Sequence, residues 1–74
     1  MVRPVEFTPE ALEDIDDLPE VAQTLSRSAE HGRVVCGQSD PFTLELVIEQ
    51  LRVLYRLEEH QIVVLGADLA ISYH

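Results

Sequence analysis

The chain has 74 residues, 46% of them hydrophobic, and sets 14 acidic residues against five arginines and no lysine, for a net charge of −9. A chain this short hides only about 60% of its unfolded surface, so it builds one domain, residues 1–74, around one thin core. Its acidity disfavours general nucleic-acid binding, which draws its affinity from Lys and Arg on phosphates, and favours a basic protein partner steered in by the field.

No apolar stretch approaches the ~18 residues of a membrane span, and the opening MVRPVEF lacks the apolar core of a signal peptide. The expectation is a soluble protein kept in the cytoplasm, without a membrane partner. Cys36 is the single cysteine. It offers no disulfide framework and reads as a small buried hydrophobe. His31, His60 and His74 have no metal-ligand spacing and read as surface or cap residues. No residue pattern calls for a metal or any other cofactor.

Residues 2–7, VRPVEF, read as a short strand with Val5 and Phe7 on one face and Pro4 restricting it to an edge. Thr8 and Pro9 supply an N-cap and a first helical residue. Ala11, Leu12, Ile15 and Leu18 recur at helical spacing, opposite an acidic face that includes Glu13, Asp14, Asp16 and Asp17. Acidic residues near the helix C-terminus oppose its dipole, so this helix should be short. A solvated face is the first reading of the four acids, and a surface for a basic partner is the functional one.

Pro19 breaks this run and opens a second helix, with Val21, Ala22, Leu25 and Ala29 along one side and Gly32 as its C-cap. Arg33 to Cys36 form a candidate short strand, and residues 37–41, GQSDP, a turn. Residues 42–57, FTLELVIEQLRVLYRL, fit two periods. With period two they give two strands. With period 3.6 they give one helix, with Glu45, Glu49, Arg52, Arg56 and Glu59 in a polar stripe. Positions 49 and 50 lack the Gly, Asn or Asp that a tight hairpin favours, whereas the Val, Ile, Thr, Phe and Tyr content favours strands. Periodicity alone leaves both open.

Residues 62–65, IVVL, are apolar on both faces, as a central strand should be. Paired antiparallel with residues 51–57, they set Leu57 opposite Ile62, Tyr55 opposite Val64 and Leu54 opposite Leu65. Gly66 then permits a bend, with an irregular or edge strand to follow.

Together, VEFTPEALEDIDDLPEVAQ (residues 5–23) and LRVLYRLEEHQIVVL (residues 51–65), just under half of the chain, resemble the RelE/ParE toxin superfamily. The second segment is similar to that family's last hairpin, where a pattern close to YRVLYRVEDDxIVVL is common. The resemblance implies an α+β fold in the order β-α-α-β-β-β, two N-terminal helices on an antiparallel sheet, and so decides residues 42–57 in favour of strands.

The family's chemistry is carried over less well. Its last segment often reads like RVGHRxxVY, whereas residues 66–73 here are GADLAISY. Only Arg52, Arg56 and Tyr73 match the family's site positions. Arg52 and Arg56 would share a strand face about 13 to 14 Å apart, too far to clamp one phosphate together. Pairing with Glu45, Glu49 or Glu58 is their ordinary structural role, and that of Tyr73 is a partly buried aromatic.

The resemblance therefore implies a toxin-like, non-nuclease component of a toxin-antitoxin system that works by binding protein. In this it is nearer to the branch that poisons DNA gyrase than to the ribonucleases. Its partner would be an antitoxin or a basic target protein, and the scaffold admits a homodimer. A second reading is an acidic, non-catalytic inhibitor or adaptor that occupies a basic surface.

Overall fold

The structure, a computed structural model, describes residues 3–35 and 42–70. Cys36, Tyr73 and His74 lie outside the described residues.

Thr8 begins the first helix as the sequence requires, its hydroxyl accepting from the Ala11 amide at 3.2 Å with Pro9 next in line. Strand β1 (Val5–Phe7) precedes this cap, and helix α1 (Pro9–Asp14) follows it. Ile15 adopts an extended conformation and ends α1 after six residues. Ile15 is therefore buried by the chain's turn inward, while Leu12, expected on the apolar side, is 50% exposed. Asp17 caps helix α2 (Leu18–Ser28) by accepting from the Glu20 amide at 3.3 Å. The apolar face of α2 buries Val21 and Leu25.

A 3-10 turn, Ala29–His31, ends this helical layer. Gly32 follows with φ −67° and its amide on the Ala29 carbonyl, so it is not the left-handed cap that glycine often supplies. A different contact calls for glycine there, because a Cβ on Gly32 would overlap the Tyr55 hydroxyl.

Four strands then complete the sheet: β2 (Arg33–Val34), β3 (Thr43–Ile48), β4 (Leu51–Leu57) and β5 (Ile62–Leu69). Residues 42–57 thus fold as a hairpin. Its turn residue Glu49 takes a left-handed φ of 58°, which explains how a Glu-Gln pair makes the turn without glycine. The spatial order is β1-β5-β4-β3-β2. Strands β2 to β5 are antiparallel, whereas β1 joins β5 in parallel, Val5 beside Ile62 and Phe7 beside Val64.

Leu57 pairs with Ile62 and Tyr55 with Val64, but Leu54 pairs with Gly66. Leu65 is an extra residue, a bulge that shifts everything beyond it by one place. Two bonds from Thr8 hold the strand at that point: its amide donates to the Val64 carbonyl at 3.0 Å and its hydroxyl to the Leu65 carbonyl at 3.1 Å.

The core lies between the helices and one face of the sheet, where Val53, Tyr55, Ile62 and Val64 meet Ala11, Ile15, Val21, Leu25 and Ala29. Tyr55 is wholly buried and donates its hydroxyl to the Ala29 carbonyl at 2.5 Å. Burial pushes its ionisation up, with the Gly32 backbone opposing. Among the described residues, no helix is long and apolar enough to cross a membrane.

Candidate functional site on the outer sheet face

Alternation along β4 turns Leu51, Val53, Tyr55 and Leu57 toward the helices and Arg52, Leu54 and Arg56 to the outer face. Paired residues of neighbouring strands share that face. It therefore presents Thr43, Glu45 and Val47 from β3 beside the β4 residues, with Val63, Gly66 and Asp68 from β5 on the other side.

The bulge decides the electrostatics here. In an unbroken register Ala67 would stand opposite Arg52, and the extra residue puts Asp68 there instead. Arg52 grips Asp68 with both arms of its guanidinium fork, Nε to Oδ1 at 2.9 Å and one terminal nitrogen to Oδ2 at 2.7 Å. Its other terminal nitrogen reaches Glu45 at 3.4 Å. This hydrogen bonding holds the Asp68 carboxyl below its ordinary range and holds the Arg52 proton more firmly. Both carboxylates that hold this cation belong to its own chain.

Arg56 is different. It lies between Thr43 of β3 and Val63 of β5, half-buried, and its Nε is buried without a hydrogen-bond partner among the described residues. The outer face thus carries one neutralised arginine and one unsatisfied one. Tyr73, the third residue singled out with them, lies outside the described residues.

Glu13, Asp14, Asp16 and Asp17 are all exposed, but they do not form one helix face. Asp14 closes α1 and accepts from the Ala67 amide at 3.4 Å, along the stretch of β5 that β1 does not reach. Asp16 stands between the helices, and Asp17 is the α2 cap. The start of α2 also faces the hairpin tip, where the Glu49 charge, ahead of a hydrogen bond with Asp17, raises the pKa of Glu20. Among the described residues no group of three or more ligand-type side chains is arranged to hold a metal ion. His31 and His60 are exposed, His31 ending the 3-10 turn.

The Arg52–Asp68 pair was not legible as a site because its spacing depends on the bulge. The cue available in the sequence was Gly66 after IVVL, which marks an irregular strand position without fixing the register that follows.

No family model and no curated protein matches this chain. Among solved structures, a chain of the RelBE2 toxin-antitoxin complex from Mycobacterium tuberculosis is similar in fold, with a TM-score of 0.72, 23% identity, and coverage of 93% of this chain and 99% of that one. The α+β fold expected from residues 5–23 and 51–65 is found, two helices packed on a sheet as in a RelE-like fold, with two departures: β2 adds a strand to the expected order β-α-α-β-β-β, and β1 lies parallel to β5 in a sheet expected to be antiparallel.

Proposed function

We propose that the chain is a toxin-like component of a toxin-antitoxin pair that acts by binding protein, without nuclease chemistry. The RelE-like scaffold supports the first half of this reading, since the similar solved structure is a toxin-antitoxin complex. The second half rests on one observation above all: Arg52, one of the two sheet arginines, is already held by Asp68 and Glu45. A scissile phosphate needs converging cations to stabilise its developing charge, and a net charge of −9 repels it from a distance. The partner in this reading is an antitoxin protein, and the working place is the cytoplasm.

Inducing the chain alone in bacteria tests the proposal. Growth should stop, and co-expression of the cognate antitoxin should restore it.

The exposed Glu13, Asp16 and Asp17 favour a second reading, an acidic inhibitor or adaptor that covers a basic protein surface. Under that reading cells grow normally, and the purified chain captures a basic protein in a manner that weakens steeply with salt.

A further inference from the structure

We infer that the open edge of β5 beyond Val64 takes an extended, basic segment of a protein partner as an added strand, with a Lys or Arg against Asp14 and Glu10 and an apolar residue against Leu69. The inference deepens the protein-binding reading above and rests on it.

β1 pairs with β5 only as far as Phe7 and Val64, because Pro9 then starts α1. Among the described residues no strand covers the rest of that edge, which runs from the bulge to Leu69. The Ala70 amide turns toward β4, where it donates to the Gln50 carbonyl at 2.8 Å, and the Ala67 amide turns the other way, to Asp14. Backbone direction alternates along a strand, so Ala67 and Leu69 each aim an N–H and a C=O at the open edge. Such a row of groups is a template for a further strand.

Asp14 marks the place. Its carboxylate accepts from the Ala67 amide where the carbonyl of a neighbouring strand would sit, and the bond is long, 3.4 Å, and exposed. An incoming carbonyl replaces it and leaves the carboxylate for a cation. Glu10 stands one helical turn before Asp14 and is exposed on the same face of α1. Leu69, 66% exposed, lies on the helix side of β5, two residues from Ala67. The edge thus sets an anionic position and an apolar one at strand spacing, which an extended segment matches with a basic and an apolar residue two places apart. A second copy of the chain fits less well, because two such edges, on chains of net charge −9, repel each other.

The test uses the full chain as bait for a displayed library of random peptides, selected in high salt to suppress the attraction that any basic peptide feels for an acidic chain. The expected result is enrichment of peptides with Lys or Arg two places from an apolar residue. Methylating the backbone amides of alternate residues in a selected peptide should weaken it about 10-fold for one alternate set and not for the other, since only one set faces the edge. Leu69→Pro removes an outward amide while sparing the ladder to β4, and should weaken the same peptides about as much. Asp14→Asn should erase the preference for the basic residue. The methylated peptides leave the protein unchanged, so they decide the matter if the proline variant does not fold.

Three results would overturn the inference: enriched peptides without the basic and apolar spacing, equal weakening by both methylated sets or by neither, or a wild-type dimer in sedimentation that Leu69→Pro turns into a monomer. The last would seat a second copy on the edge. Growth arrest without selection of such peptides would overturn this inference and leave the toxin-like reading standing, and the reverse outcome would do the opposite.

Discussion

The hydroxyl of Tyr55, in the middle of β4, donates a 2.5 Å hydrogen bond to the carbonyl of Ala29, where α2 gives way to its terminal turn. This one bond ties the helical layer to the central strand. It also explains Gly32, since any side chain there would displace the hydroxyl. Tyr55→Phe leaves the Ala29 carbonyl with the Gly32 amide alone, at 3.4 Å, and should cost about 0.5 to 1.5 kcal/mol in urea unfolding. In the wild type the raised Tyr55 pKa means that stability from its protonated form is complete below 10.0 and is lost as pH rises through the folded-state value, which absorbance of the phenolate should follow.

Thr8 performs two tasks, capping α1 and bonding the Leu65 carbonyl at the bulge. Thr8→Val keeps the shape and removes both bonds. The expected loss is about 1 to 2 kcal/mol. If Thr8 also pins the bulge, hydrogen exchange at residues 65–69 should quicken more than exchange in β4.

Glu49 occupies a left-handed backbone position that costs a non-glycine residue about 1 to 2 kcal/mol. Glu49→Gly should therefore stabilise the fold by roughly 0.5 to 1 kcal/mol, allowing for glycine's greater freedom when unfolded. Glu49→Gln retains the strain while removing the charge near Glu20, so it separates the two contributions. A glycine variant no more stable than the glutamine variant would show that the turn is not strained.

Two carboxyls respond to acid in opposite senses. The lowered Asp68 pKa contributes stability that is present above 3.8 and lost as pH falls through the folded-state value. The raised Glu20 pKa contributes stability that is present below 4.5 and lost as pH rises through its folded-state value. Glu20→Gln should therefore raise the urea midpoint at neutral pH, and Asp68→Asn should lower it. Both groups are exposed, so added salt should shrink both effects.

The parts of this fold that depend on neighbours in sequence are legible in the sequence alone. Thr8-Pro9 and Pro19 marked the helix starts, and the pairings of Leu57 with Ile62 and Tyr55 with Val64 followed from alternation and turn length. The parts that depend on distant contacts were not. The parallel seat of β1 on β5 joins residues 57 positions apart, Val5 with Ile62, and no local pattern specifies it. The bulge at Leu65 leaves the hydrophobic alternation of IVVL intact up to that residue and changes only what lies beyond, so Leu54 meets Gly66 and not Leu65. The same shift hid Asp68 as the partner of Arg52. Arg56 was visible as a candidate, but its lack of an acceptor is a property of packing.

The central claim, a RelE-like scaffold that binds protein and leaves RNA intact, is tested most directly by mapping RNA 5′ ends across the transcripts of bacteria expressing this chain. The account expects growth arrest with the same 5′ ends as uninduced cells, in the wild type and in Arg52→Leu alike. New cleavage sites that appear on induction and vanish in Arg52→Leu or Arg56→Leu would contradict it.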